Sequence, residues 1–493
     1  MPIEEARAGM VESAQGLVLT GVTIVDTHTG RKSGNMTIAI EKGKIVRIGR
    51  AVEIETDGAS KTIDATGKFV VPGYLDMHAH PLGSRDDEGN LNMMLAHGIT
   101  GVRQMSGSPD MLAARRAGRL VPTAAGPELL VMPGMILMPL NAATPDAAVA
   151  EIRKQKEAGA DFIKVVLVPP PTFFAALAEA RLVGLPFAGH IPPGVDVRDA
   201  ARQGMFAIEH LYGSLEACST RETALRSAAG DGAPRLPPMP AGFNLNEAFE
   251  RAIANPILMR PPSYEYERSI VETYSADKAR RLAEEFVAAG VWQVPTLIRL
   301  RTMQFGDDPL YRNDPDLRFM PHATRQMWEA LAEQFNARVG AASKTTLAEL
   351  SALQIGLVKI FKDAGVDMVA GSDMGGQWCV PGAALHQEFA LLAEAGLSPL
   401  EILQMTTING AKFLGRERTM GSVEEGKNAD LVLLDADPLA SVSNLRTLHG
   451  LVRAGSYYSR EMLEALKTRT EERHLGPVSL NEFRLPSPGS QRL

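Results

Sequence analysis

The feature that most constrains the fold of this chain is an alternation of short apolar runs with amphipathic helical stretches across residues 69–423. Short apolar runs are typical of strands buried on both faces, and their alternation with helices predicts parallel βαβ units. Eight runs can be counted: FVVPGYLDM, GITGVRQM, ELLVM, DFIKVVL, LPFAGH, MFAIEH, VWQVPTL and VDMVAGSD. Because eight strands close a (β/α)₈ barrel, we expect an α/β fold built on a TIM-like barrel.

Helices are predicted between these runs, at Asp146–Ala158, Asp199–Gln203, Asp277–Ala289 and Pro399–Leu414. Strand-like segments rich in β-branched residues lie before and after the barrel pattern. They are LVLTGVTIVD, MTIAIEKGKIVRIG and KTIDATGKF on one side, and GSVEEGKNADLVLLDADPL and LHGLVRAGSYYS on the other. We expect these N- and C-terminal segments to form one discontinuous β-sandwich that flanks the barrel.

The expected domain organisation follows from these patterns. It comprises a flexible leader at 1–15, the β-sandwich at 16–68 plus 424–465, the barrel at 69–423 and a C-terminal extension at 466–493. An insertion at about 215–350 is longer than one strand and two helices require. Long connections often cover or line a binding site, so we expect a lid here, with a surface insertion of no catalytic importance as the alternative.

Composition excludes several classes of protein. Hydrophobic residues make up 45% and charged residues 22% of the chain, which are ordinary globular values. A net charge of −7 argues against a nucleic-acid or anionic-membrane partner, and two cysteines argue against a disulfide framework. The longest apolar stretch is too short to span a bilayer. No signal-peptide pattern is visible, so we expect a cytoplasmic protein, or a periplasmic or secreted one if a native leader has been removed.

Histidines and an aspartate stand at the ends of several runs. His78 and His80 end the first run, and residues i and i+2 of a strand point to the same side, so both imidazoles can face one metal ion. Taken alone, this pair also fits two ordinary histidines. His190, His210 and Asp373 end the fifth, sixth and eighth runs, where a cap or loop role is the alternative to metal binding.

A lysine lies inside the apolar run DFIKVVL. Burying the charged amine of Lys164 is costly, and desolvation lowers the pKa of a lysine, so that its neutral amine becomes accessible. A neutral amine can react with carbon dioxide to give a carbamate, which is a carboxylate able to bridge two metal ions. The alternative is a lysine that extends to solvent. Taken with the histidines and the aspartate, at the barrel face where functional residues gather, it predicts a binuclear metal site.

The sequence resembles the metal-dependent amidohydrolase superfamily, most closely its imidazolonepropionase-like and Xaa-Pro dipeptidase (carboxypeptidase) branch. The motifs that carry the resemblance are VVPGYLDMHAHP, FIKVV, GHI, IEHL, GSD, LHQEFALLAEAGLSPLEIL, TINGAKFLG and GSVEEGKNADLVLLDADP. The corresponding stretch after the third strand, LLVMPGMILMPLNAA, lacks the histidine that relatives in this branch often carry there.

The resemblance implies two divalent metal ions, which we expect to be Zn²⁺, and a catalytic role for Asp373 as proton shuttle. The implied ligands are His78 and His80 for the more buried metal, His190 and His210 for the second, Lys164 as a bridging carbamate, and Asp373 on the first metal. Two further residues are candidate substrate contacts: Tyr212, two residues beyond a ligand, and Arg299, just after the seventh run.

The expected function is hydrolysis of an amide bond by attack of a metal-bridging hydroxide. The substrate class is a dipeptide or N-acyl amino acid with an apolar acyl group, because Met132, Met135 and Met138 predict an apolar pocket. The first alternative is a cyclic amide, a lactone or another ester, since fold does not fix substrate. A non-catalytic binding protein is the second, but such a relative is expected to lose metal ligands. We also expect a small-molecule amide as partner, no nucleic acid, no membrane, and a homo-oligomer.

Overall fold

A computed structural model describes residues 16–50, 61–120, 126–228 and 251–475. The expected leader and the expected tail beyond residue 475 lie outside the described residues. The strands are β1 Leu17–Val25, β2 Lys32–Glu41, β3 Lys44–Arg50, β4 Lys61–Asp64, β5 Phe69–Pro72, β6 Tyr74–Ala79, β7 Ile99–Gln104, β8 Glu128–Val131, β9 Ile163–Val165, β10 Phe187–Gly189, β11 Ala207–Glu209, β12 Trp292–Val294, β13 Leu431–Leu434, β14 Leu448–Arg453 and β15 Ser456–Ser459.

Helices follow most of these strands. The α-helices span Asp87–Ala96, Pro109–Arg116, Pro145–Ala158, Pro170–Leu182, Val197–Arg202, Ser214–Ala217, Glu222–Ala228, Glu265–Thr273, Ala276–Ala289, Leu297–Gln304, Pro309–Arg312, His322–Arg338, Ala341–Ala364, Ala383–Glu394, Pro399–Met405, Ile408–Leu414 and Arg460–Leu475. Short 3₁₀ turns lie at Pro256–Met259, Pro315–Phe319 and Val442–Arg446. Within the described ranges, no helix is both long enough and apolar enough to serve as a membrane span.

The barrel strands form two parallel sheets, β6-β7-β8 and β9-β10-β11-β12. Backbone bonds link the end of β8 to the segment before β9, from Asp161 N to Met132 O at 3.0 Å, and link β12 to the eighth predicted run, from Gln293 N to Asp367 O at 3.0 Å. The segment that ends at Asp373 then returns to β6, because Asp373 N donates to His78 O at 2.7 Å. The eight predicted runs therefore lie side by side in chain order, in a TIM-barrel-like α/β arrangement.

The flanking unit combines strands from the two ends of the described chain in the order β15-β14-β13-β5-β1-β2-β3, with β4 also paired to β1. Hydrogen bonds connect all eight strands into one continuous sheet. Strand β1 has two neighbours on one side, since its first half pairs with β4 and its second half with β5. The chain turns between these halves at Gly21, where φ is +72°. The sheet thus bends around its own apolar core, which includes Leu19, Ile38 and Leu433.

Three of the four predicted helices agree with the structure to within a few residues, and the fourth is divided. The helix predicted over Pro399–Leu414 is interrupted at Thr406 and Thr407. Thr406 makes two bonds to β6 instead, from its hydroxyl to Leu75 O at 3.0 Å and from Leu75 N to its carbonyl at 2.8 Å. The carbonyl of Thr406 therefore pairs with the strand, while Thr406 N still donates to Ile402 O at 3.3 Å.

The last described helix, Arg460–Leu475, spans residue 465, where the sequence analysis places a domain boundary. It packs against the helix Asp87–Ala96, which directly follows the first barrel strand. Arg473 pairs with Asp86 at 3.0 Å, and His474 Nε2 lies 2.8 Å from the other oxygen of Asp86. Asp86 also caps the N-terminus of the helix Asp87–Ala96 by accepting from Gly89 N. The C-terminal helix therefore secures the start of the first helix of the barrel.

Candidate metal centre

Six predicted ligands converge at the carboxyl ends of the barrel strands, and Asp373 lies at the centre of the group. Its Oδ1 lies 3.4 Å from His78 Nε2 and 3.2 Å from His80 Nε2. Its Oδ2 lies 3.7 Å from His210 Nε2. Ligand atoms of His78, His210 and Asp373 all lie within 4.8 Å of one another, a spacing that one metal ion can bridge.

His190 joins the group through ring contacts. The centroid of its imidazole lies 4.9 Å from that of His210, which in turn lies 4.6 Å from that of His78. Backbone bonds fix where two of these residues leave their strands, from His190 N to Val165 O and from His210 N to Val294 O, both at 2.9 Å. The predicted ligand Lys164 is 2% exposed. Lys164 interacts electrostatically with His190 and Asp373, so the lysine and the histidines belong to one buried group.

Hydrogen bonds to Nδ1 orient two of the imidazoles. Glu209 Oε2 lies 2.5 Å from His78 Nδ1, and because an ionised carboxylate only accepts, Nδ1 carries the proton. His210 Nδ1 lies 2.5 Å from the hydroxyl of Thr296, which itself donates to Pro295 O at 2.9 Å. In both rings Nε2 is therefore the nitrogen with a free lone pair, and it is directed toward Asp373.

Glu209 and its partner Arg103 are site residues that the sequence analysis missed. Arg103 Nη1 donates to Glu209 Oε1 at 3.0 Å, and both side chains are buried. Burial alone raises the pKa of Glu209, but the charge of Arg103 and the hydrogen bond from His78 outweigh it and bring the pKa to about 2. The signal was present in the sequence, since each residue is a charge inside an apolar run and requires a partner, as Lys164 does.

The protonation states suit metal binding. Burial is the main cause of a lowered pKa at His80, His190 and His210, and neutral imidazoles are the form that binds metal. Burial opposes ionisation of Asp373, but the neighbouring histidines hold its pKa well below the usual range. The group therefore offers neutral nitrogens and an anionic oxygen at neutral pH.

Lys164 provides the sharpest test of whether these residues fit a metal-bridging carbamate. Its Nζ is buried and has no hydrogen-bond partner among the described residues. Burial lowers the pKa of Lys164 to about 8, so a neutral amine is accessible near neutral pH. A buried amine without a partner is costly, and conversion to a metal-bound carbamate removes that cost. The chemistry of the donor set fits the group that the sequence predicts.

Several residues at the centre adopt a left-handed backbone conformation. The φ angles are 58° at His210, 45° at Thr296 and 48° at Asp373. Residues other than glycine rarely adopt this conformation, and such strain concentrates at functional sites. Close packing imposes a further restriction at Gly189, where φ is +137° and an added Cβ would lie 2.0 Å from Val165 O. The strand ends are thus fixed in position by backbone contacts.

The candidate substrate contacts lie in different surroundings. Tyr212 stacks on His190, with ring centroids 4.4 Å apart and planes 18° apart, so it borders the ligand group. Arg299 is buried, and its Nε faces Asp373 Oδ2 at 3.3 Å. Met132, one of three methionines expected to line an apolar pocket, instead packs in a small core cluster with Leu112.

Parts of the sequence are similar to known proteins. The profile of the amidohydrolase family matches residues 336–456 of this chain. Imidazolonepropionase from Thermoplasma volcanium is 33% identical over 84 residues, which is 17% of this chain and 20% of that protein. Matches to the curated relatives cover a fifth or less of their length.

Solved structures share the fold over nearly the whole chain. The structure of bottromycin amidohydrolase is 22% identical, covers 96% of this chain and 96% of its own, and has a TM-score of 0.64. The structure of a putative prolidase from Bifidobacterium longum is 20% identical, covers 93% of this chain and 99% of its own, and has a TM-score of 0.60. At these identities the likeness establishes the fold, while the ligand group carries the chemical argument.

Proposed function

We propose that this chain is a member of the metal-dependent amidohydrolase superfamily and hydrolyses the amide bond of a dipeptide or of an N-acyl amino acid with an apolar acyl group. The observation that carries the proposal is the convergence of four histidines, Asp373 and an unpartnered buried Lys164 amine on one volume. A closed (β/α)₈ barrel, with the domain limits expected from the sequence, is part of the same proposal.

Each residue has a role in this proposal. His78 and His80 would hold one divalent ion and His190 and His210 a second, with the Lys164 carbamate between them and Asp373 on the first. The carbamate forms when the amine nitrogen bonds to the carbon of carbon dioxide and releases a proton. Bound divalent ions, expected to be Zn²⁺, supply a lowered pKa for water and polarisation of the substrate carbonyl.

Asp373 is the residue to which we assign proton transfer. A carboxylate at the centre of the group can accept a proton from the attacking water and deliver it to the leaving amine. Its low pKa in the folded chain keeps it in the ionised form that can accept. Tyr212, which stacks on His190, lies where a phenol can contact the carboxylate or carbonyl of a bound substrate.

The substrate class follows from two kinds of support. The motifs that resemble the Xaa-Pro dipeptidase branch favour a linear amide with a free carboxylate, and the fold shared with a putative prolidase of Bifidobacterium longum is compatible with it. The match to an imidazolonepropionase favours the alternative of a cyclic amide, lactone or other ester. Both substrate classes would be hydrolysed by the same metal-dependent reaction, and they differ only in the substrate that the site accepts.

A mass-spectrometric hydrolysis panel tests the proposal. Zinc-loaded protein is incubated with Xaa-Pro dipeptides, N-acyl amino acids, lactams and lactones, with Asp373→Asn as the blank. We expect cleavage of linear amides, faster with apolar acyl groups, and its loss in the variant. Turnover of only lactams or lactones would transfer the protein to the cyclic class, and no turnover of any compound would refute the proposed function.

A second measurement addresses the metal centre directly. Elemental analysis is expected to give two metal ions per chain, and ¹³C NMR of protein exchanged with labelled bicarbonate is expected to give one carbamate signal. Lys164→Ala should abolish that signal. A single metal ion, or no carbamate in the loaded protein, would refute the binuclear part of the proposal. Light scattering tests the expected homo-oligomer.

A further inference from the structure

We infer that Arg299 is a positioning residue that ties the backbone of residues 253–254, in the long insertion, to the carboxylate of Asp373. The guanidinium lies between the two. Nη1 donates to Ala254 O at 2.7 Å and Nη2 donates to Ile253 O, while Nε faces Asp373 Oδ2 at 3.3 Å. The role in turnover rests on the proposed function, whereas the physical link between these groups does not.

The two oxygens of Asp373 have different neighbours. Oδ1 faces Nε2 of His78 and of His80, while Oδ2 faces Arg299 Nε and, further away at 3.7 Å, His210 Nε2. A planar guanidinium fixed at its other end can hold one carboxylate oxygen in place. Arg299 therefore sets the orientation of the carboxylate, and with it the oxygen that is directed at the ligand group.

The insertion is also bound to the loop that follows Asp373. Gln377 N donates to Ala254 O at 2.9 Å, and Asn255 Nδ2 donates to Gln377 Oε1 at 2.7 Å. Gln377 and Asn255 are fully buried. Arg299 and Gln377 thus share the carbonyl of Ala254, which closes a circuit from Asp373 through Arg299 and the insertion back to the loop of Asp373. Each contact supports the others, as in a connected polar network.

Gly376 makes room for the guanidinium. A Cβ placed there would lie 2.3 Å from Arg299 Nη1 and 2.5 Å from its Cζ. The backbone of Gly376 is outside the left-handed region, so alanine can adopt it. Gly376→Ala therefore displaces Arg299 while every charge and hydrogen-bonding group of the circuit is retained. This substitution separates the position of Arg299 from its charge.

Hydrogen exchange measured by mass spectrometry on the metal-loaded protein tests the link. Loss of one member of the circuit should release the others, so Arg299→Met, Gly376→Ala and Asp373→Asn should each raise amide exchange at least about tenfold in peptides covering 251–258. Combining Arg299→Met with Asp373→Asn should add little, because both remove the same link. Arg301→Met is the matched control, since Arg301 lies on the same helix and makes a surface ion pair with Glu394.

Kinetics on a substrate from the hydrolysis panel give the second readout. Arg299→Met and Gly376→Ala should lower kcat by roughly 10²-fold, the usual cost of a small misplacement of a reacting group, with KM changed far less. Arg299→Lys should fall between these variants and the wild type, since it keeps the charge but loses the planar fork. Arg301→Met should leave both constants unchanged.

The outcomes are distinguishable. Wild-type exchange over 251–258 in both Arg299→Met and Gly376→Ala would overturn the link, whatever the enzyme cleaves. Raised exchange with an unchanged kcat would overturn the positioning role and leave hydrolysis intact. Absence of turnover in the wild type would refute the proposed function alone, because the exchange result decides the link without it. If Arg299→Met does not fold, Gly376→Ala and Arg299→Lys carry the same test.

Discussion

Glu388 offers a quantitative test of the buried electrostatics beside the metal centre. It lies in the helix Ala383–Glu394, is fully buried, and accepts a hydrogen bond from Ile298 N at 2.7 Å through Oε2. Its Oε1 has no hydrogen-bond partner within the described ranges. The helix Leu297–Gln304 has no side-chain cap of its own, because the hydroxyl of Thr296 is bonded to His210. Glu388 supplies that cap from another helix.

Burial raises the pKa of Glu388 to about 8, although the backbone N–H groups that it accepts from oppose the shift. The unfolded chain loses this proton near pH 4.5, whereas the folded chain retains it up to about pH 8. Folding therefore takes up a proton in this window, and the free energy of unfolding falls by about 1.4 kcal/mol per pH unit across it. Between about pH 4.5 and about pH 8, the free energy of unfolding falls by about 5 kcal/mol in total, compared with a protein in which this side chain stays neutral.

Glu388→Gln should remove this pH dependence, because a neutral amide keeps the acceptor oxygen and does not ionise. We expect the variant and the wild type to differ little at pH 5 and the variant to be the more stable by several kcal/mol at pH 9. Thermal midpoints measured by calorimetry between these limits give the difference. Glu394→Gln is the matched control, on the same helix but exposed at its end. Parallel curves for Glu388→Gln and the wild type would refute the reasoning.

The remaining predictions concern the ligand group and its strands. Glu209→Gln should weaken zinc affinity by about 10–100-fold, since His78 loses the carboxylate that orients it; an unchanged affinity in a competitive chelator titration would contradict this. Thr296→Val should likewise weaken binding by removing the hydroxyl beside His210, and the same titration with an unaltered result would count against it. Gly189→Ala should cost roughly 1–3 kcal/mol through backbone strain and steric overlap, so a wild-type thermal midpoint would show the reasoning to be mistaken.

Much of the fold could be predicted because it depends on local patterns. Each apolar run is short, bounded by turn residues and followed by an amphipathic stretch, and these signals act within a dozen residues. The division of the helix at Thr406 could not be predicted in this way. Its residues suit a helix, but the backbone of Thr406 pairs with Leu75, more than 300 positions earlier in the chain.

The same distinction applies to the site. The histidines and Asp373 end predicted strands and Lys164 lies inside one, so their convergence follows from barrel geometry once the strands are counted. The surroundings of Arg299 depend instead on where the insertion returns to the barrel, and no local pattern carries that information. Lys164 could be identified as an unusual charge in an apolar run, whereas its missing hydrogen-bond partner could be found only in three dimensions.

The flanking sheet has a consequence for how the chain is made. Strand β5 pairs with β13, so that Val71 lies opposite Val432, about 360 residues later. At roughly 5–20 residues per second, a ribosome needs roughly 20–70 s to synthesise that interval. During this time the edge of β5 that will receive β13 is unpaired, and unpaired edges are where newly made chains associate wrongly. The flanking sheet is therefore completed only after every barrel strand has been synthesised.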